Sequence, residues 1–165
     1  MKKIIMFLMV VLVVSSCSSG GGKSGKVKIE SNETILESFA NGTPRIVRVI
    51  KETDGKQDFE YEKEYYDDGN LLKEGPIVGN SKDGLWKTYY RDGVLWSEGY
   101  YVKGKREGAT KSYYPNGKLK FEGAFTNGEK SGQWSFYKED GSFHKMATFL
   151  APGTKDTVTL ELPSQ

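Results

Sequence analysis

Between Tyr65 and Phe149 the apolar and polar positions of the chain recur every 24 residues without a gap. Tyr65, Tyr89, Tyr113 and Tyr137 form one column, and Gly69, Gly93, Gly117 and Gly141 a second. Leu71, Leu95, Leu119 and Phe143 form a third, and Glu74-Gly75, Glu98-Gly99 and Glu122-Gly123 a fourth. Ile77, Tyr101, Phe125 and Phe149 follow, then Gly84, Gly108 and Gly132. A fixed period of this length is the mark of a repeat architecture, in which no single copy can bury its own apolar face. Within one copy, Trp86 to Tyr90 is aromatic and β-branched, Arg91-Asp92-Gly93 supplies turn chemistry, and Leu95 to Val102 alternates. Asp-Gly between such runs predicts a hairpin, since Gly takes positive φ without strain. A second turn, Lys103 to Gly108, restarts the cycle.

The predicted fold is therefore all-β, an elongated antiparallel β-meander of 24-residue hairpin repeats. Each repeat adds two strands and advances the sheet by about 10 Å. On the return strand Leu95, Ser97, Gly99 and Tyr101 share one face, assigned to the interior, and Trp96, Glu98 and Tyr100 share the other. A Gly recurring inside a strand marks a close approach to the backbone. The expected visitor is the recurrent Tyr, lying flat over Gly75, Gly99 and Gly123. The expected repeat core is Tyr65, Tyr89, Tyr113, Tyr137, Leu71, Leu95, Leu119 and these three glycines.

Glu98 to Gly104, and Glu122 to Gly128 with Gly132, resemble MORN repeats. The unit at 113–123, Tyr-Tyr-x-Asn-Gly-Lys-Leu-Lys-x-Glu-Gly, resembles the bacterial variant of that repeat, found in YwqK-type antitoxins of toxin–antitoxin systems. The resemblance spans residues 65–149, and more weakly 37–64. It implies a MORN-like hairpin array and, for function, neutralisation of a toxin domain by direct binding.

Outside the repeats the pattern changes. Residues 1–16 read as a lipoprotein signal peptide: Lys2-Lys3, then eleven apolar residues from Ile4 to Val14, too short to span a bilayer. Val14-Ser15-Ser16-Cys17 resembles a lipobox, which makes Cys17 the expected lipidation site, and Cys17 is the only Cys in the chain. Residues 17–26 then form the lipidated Cys and a Gly/Ser/Lys tether. Gly20 to Lys26 spells part of a phosphate-binding loop, but Val27 stands where Ser or Thr would ligate Mg²⁺ and no strand precedes it. Residues 27–64 are expected to hold capping strands and a degenerate repeat, opening with a short strand at Val27 and Ile29 and a turn or helical stretch to Phe39. After Ala151-Pro152-Gly153, the alternation from Thr157 to Leu162 predicts a C-terminal strand within 150–165.

Charge narrows the function classes. The chain carries 24 basic and 22 acidic residues, and loss of Lys2 and Lys3 with the signal leaves 22 of each. That balance, interspersed in sequence, provides no basic face for nucleic acid. No metal site and no cofactor are expected, since His144 is the only His and no thiol joins it. The recurrent Glu74, Glu98 and Glu122 stand about 10 Å apart, which suits cross-strand pairing with Lys better than acid–base chemistry. No enzyme is expected. The outward aromatic residues Tyr66, Tyr90, Trp96, Tyr100 and Tyr114 form the candidate binding face, because exposed Tyr and Trp are what interfaces use. The functional expectation is a non-catalytic, lipid-anchored envelope protein whose β-repeat surface binds a protein partner or scaffolds, at the outer membrane facing the periplasm. An antitoxin or immunity role against a toxin partner, and cell-wall glycan binding, are the alternatives. The sequence leaves the oligomeric state open.

Overall fold

The computed structural model describes residues 27–150 and 159–161. The segments read as signal peptide, lipidated Cys17 and tether lie outside them. Among the described residues the chain is all-β, and each strand pairs with the next in an antiparallel meander. The order runs β1 (Glu33–Ser38), β2 (Pro44–Thr53), β3 (Lys56–Tyr65), β4 (Leu71–Val78), β6 (Gly84–Tyr89), β7 (Leu95–Val102), β8 (Lys105–Tyr113), β9 (Leu119–Thr126), β10 (Glu129–Tyr137), β11 (Phe143–Phe149) and β12 (Thr159–Glu161). A two-residue strand, β5 (Ser81–Lys82), pairs with β4 beside this path. The first strand begins at Glu33, so the short strand expected at Val27 and Ile29 is absent and no helical stretch precedes Phe39. β1 supplies that edge by pairing with β2, Glu33 opposite Val49.

Two kinds of turn alternate along the sheet. Asp54-Gly55, Lys103-Gly104 and Asn127-Gly128 have positive φ at both residues, the twist of a two-residue hairpin. The other kind is wider: Tyr90 N–H donates to Val94 C=O and Gly93 N–H to Tyr90 C=O, with φ of +88° at Gly93. Asp92 Oδ1 accepts the Val94 N–H, and Asp68, Asn116 and Asp140 repeat this contact, which is why Asp or Asn precedes Gly in every copy.

The return strand then carries one residue too many. Thr88 faces Ser97 while Tyr89 faces Leu95, leaving Trp96 as the extra residue of a β-bulge. The same shift leaves Leu72, Lys120 and His144 unopposed in the neighbouring repeats.

The bulge overturns one packing expectation. Period-two counting across the turn puts Tyr89 on the glycine face, but the extra residue reverses the parity between the two strands. Trp86 and Thr88 share the face of Gly99 and Ser97, whereas Tyr89 reaches the carboxylate face, where its hydroxyl donates to Glu74 Oε1 at 2.8 Å. The tyrosines therefore do not lie over the glycines. Trp86 covers Gly75, where a Cβ would stand 2.5 Å from the indole carbons, and Trp134 covers Gly123 in the same way. Each indole N–H donates to the carbonyl one residue past its glycine, Trp86 to Pro76 at 2.8 Å and Trp134 to Ala124 at 3.2 Å.

Trp134 is 1% exposed and centres a cluster with Phe121, Phe125, Phe136 and Phe149, ring centroids 5.2–6.4 Å away. In the copy between them the Trp position is Thr110, whose hydroxyl donates to Glu98 C=O at 2.9 Å. Ser112, at the position of Phe136, donates likewise to Trp96 C=O at 3.1 Å. The aromatic layer is thus interrupted by buried, self-satisfied hydroxyls.

Trp134→Ala is expected to lower stability by about 3–5 kcal/mol, and Trp96→Ala, on the exposed bulge, by under about 1 kcal/mol. Urea denaturation of the two variants measures the difference. Equal losses would contradict the assignment of the buried layer.

Candidate functional site

The bulges sit beside the wide turns, and the residues around them build one repeating arrangement. Tyr66, Tyr90 and Tyr114 follow the outgoing strands and are half-buried. Each phenol donates to the backbone of the next copy: Tyr66 to Tyr89 C=O at 3.0 Å, Tyr90 to Tyr113 C=O and Tyr114 to Tyr137 C=O, both at 2.9 Å. Asparagines add a second tie at the turn tips, Asn41 to Asp67 C=O, Asn70 to Arg91 C=O and Asn116 to Glu139 C=O. One edge of the sheet is therefore stitched turn to turn.

Onto this edge the bulges project their extra residues. Trp96, 44% exposed, lies 6.0 Å from the Tyr90 ring, and Lys120 Nζ lies 5.4 Å from the Tyr114 ring. The guanidinium of Arg91 covers Tyr66 at 4.5 Å and reaches Asp67 and Asp68. The bulge residues themselves differ in every copy: Leu72, Trp96, Lys120, His144. The scaffold columns stay constant and the bulge column varies, with Trp96, Lys120 and His144 exposed. Bulges re-aim side chains in this way next to functional sites.

Of the sequence-predicted face, Tyr66, Tyr90, Tyr114 and Trp96 are brought together here, with the three phenols engaged in ties between copies. Tyr100 is elsewhere. It is 49% exposed on the carboxylate face and lines a cleft of about 140 Å³ with Leu85, Glu98, Ala109 and Lys111. Sequence reasoning set His144 in one outward column with Leu72, Trp96 and Lys120, but missed that each is the extra residue of a bulge.

On the carboxylate face Lys63, Glu74, Lys87, Glu98, Lys111 and Glu122 stand directly opposite one another across successive strands. Opposite charges so placed stabilise a sheet. The carboxylates also accept tyrosine hydroxyls, Tyr113 to Glu98 at 2.9 Å and Tyr137 to Glu122 at 3.1 Å. Burial, and then the Glu98 hydrogen bond, push the Tyr113 phenol up to about 12; burial and the hydrogen bonds to Glu74 and Glu122 raise Tyr89 and Tyr137 in turn. Each glutamate is thus committed to the sheet. Among the described residues no group of three or more His, Cys, Asp or Glu is arranged to hold a metal ion.

Comparison with known families is decided by the hairpin copies. Residues 61–78, 82–103 and 106–127 match the family model described as the MORN repeat variant. The three matched copies contain the turn tyrosines Tyr66, Tyr90 and Tyr114, the bulge residues Leu72, Trp96 and Lys120, and the Glu-Gly pairs at 74, 98 and 122. Each of the three matched copies therefore includes the bulge, with its register shift between turn and return strand. No match was found among curated proteins.

A phenol whose pKa is higher folded than unfolded stabilises the fold below its ordinary pKa and loses that contribution as pH climbs to the folded value. Stability is therefore expected to fall between pH 10.0 and about 12 as Tyr113 ionises. Tyr113→Phe is expected to flatten part of this alkaline limb, measured by denaturation across the range. An unchanged limb would contradict the Tyr113–Glu98 coupling.

Proposed function

We propose that the chain is a non-catalytic binding module that recognises a protein partner through its bulge row. The observation that supports this reading is the division of labour among columns. The Gly, Tyr and Glu positions repeat because they hold the sheet, while the bulge position, exposed at Trp96, Lys120 and His144, varies from copy to copy on a stitched edge. Recognition by exposed aromatic and charged side chains on a rigid scaffold needs such an arrangement. Trp96 is the natural anchor, being large, half-exposed and braced by Tyr90. Tyr100 and its cleft give a second contact point on the carboxylate face.

The setting of this module is a bacterial envelope, with Cys17 lipidated after signal cleavage and the repeats held at the outer membrane facing the periplasm. A multiply acylated Cys anchors stably, since each buried acyl carbon contributes about 0.8 kcal/mol. The likeness of 113–123 to YwqK-type repeats supports a toxin domain as the partner, bound and blocked without chemistry. In the envelope, that reading fits immunity to a toxin arriving from outside.

Crosslinking in the native envelope, followed by mass spectrometry, tests the reading. Wild type is expected to capture one protein partner, Cys17→Ala to lose the membrane fraction and the partner with it, and Trp96→Ala to weaken capture about tenfold. Capture unaffected by Trp96→Ala, or recovery of glycan fragments alone, would overturn it.

A further inference from the structure

The opposite edge of the sheet, formed by the second turns, carries a periodic feature of its own. Lys82, Arg106 and Lys130 stand one copy apart and face Ile77, Tyr101 and Phe125 in the same cross-strand register. All three cations rest on rings. Lys82 Nζ lies 4.1 Å from the Trp86 centroid and 4.9 Å from Tyr101. The Arg106 guanidinium lies 4.9 Å from Phe125, and Lys130 Nζ lies 4.6 Å from Trp134 and 5.0 Å from Phe149. Their spacing is fixed by backbone, because Gly104 N–H donates to Lys82 C=O at 2.8 Å and Gly128 N–H to Arg106 C=O at 2.9 Å.

Among the described residues none of the three has a carboxylate within 4.0 Å, whereas Arg48, Lys63 and Lys73 pair with Glu62, Glu33 and Glu64. The acids next to Lys82 and Arg106 in sequence are committed elsewhere: Asp83 accepts the Lys103 N–H at 3.1 Å and Glu107 the Asn127 N–H at 2.7 Å. Arg106 gives Nε–H to the Tyr101 hydroxyl at 3.2 Å, which leaves its outer fork for a bidentate contact.

We propose that this row binds an extended acidic segment of a protein partner, carrying a carboxylate at every third residue. Two strands per copy set a step of about 10 Å between cations. A polyproline II chain has three residues per turn and rises about 3.1 Å per residue, so acids at every third position line one side roughly 9 Å apart. The two periods match. Recognition of an anionic membrane relies on clusters of roughly four to eight basic residues rather than a single file of three. The row is a second surface, beyond the bulge reading and independent of it.

The test uses the full chain and two fluorescent peptides of one composition: Glu-Pro-Pro repeats, and an isomer with its glutamates gathered at one end. Anisotropy is expected to show the spaced peptide binding about tenfold tighter than its isomer, with salt weakening both. Arg106→Gln is expected to remove most of that preference and Arg106→Lys to keep part of it, the latter showing that folding is not at issue. Lys130→Gln, at an exposed position, is expected to weaken the spaced peptide as well. Trp96→Ala is expected to leave peptide binding unchanged, which separates this surface from the bulge row. Equal binding of the two isomers, Gln variants that bind like wild type, or tighter binding to phosphatidylglycerol vesicles than to the spaced peptide would each overturn the proposal.

Discussion

A single-layer sheet has no second layer to bury its apolar face, so something within the sheet must exclude water from its own backbone. Here that is the indole laid over glycine. Trp86 on Gly75 and Trp134 on Gly123 place flat rings directly on the neighbouring strand, and each N–H takes a carbonyl from the strand it covers. The contact demands a residue with no Cβ, so the glycines and tryptophans are one device. The phenylalanines around Trp134, and the lysines resting on both indoles, extend the cover.

The rest of the architecture follows from holding that face in place. Alternating Lys and Glu face one another from strand to strand on the other face, with tyrosine hydroxyls closing on the carboxylates. Tyr66, Tyr90 and Tyr114 stitch copies together at one edge, and backbone hydrogen bonds between turns do so at the other. Outside the constant columns that perform these tasks stand, among other residues, the bulge row and the ring-supported cations. They lie at opposite edges of the sheet, held by the same framework.

Much of this was legible in the sequence. The period, the turns and the meander follow from Gly, Asp and Asn at fixed spacing, because positive φ and the Asx contact tolerate few other residues. The faces were less legible. Strand alternation is reliable only within one unbroken strand, and the bulge at Trp96 reverses it without a signature in local composition. The tryptophan column was hidden for a different reason: Thr110 stands between Trp86 and Trp134, so the repeat shows only at twice the period. The tie from Tyr90 to the next copy was unreadable, since a half-buried phenol donating to a carbonyl 23 residues on looks like any outward Tyr.

Native-state hydrogen exchange, resolved by residue, measures the central dependence most directly. If indole-over-glycine packing holds the sheet, the amides around Gly75–Trp86 and Gly123–Trp134 are the slowest to exchange, and those around Gly99–Thr110 exchange faster although they sit mid-sheet. Protection that is uniform along the repeats, or greatest around Thr110, would contradict the account.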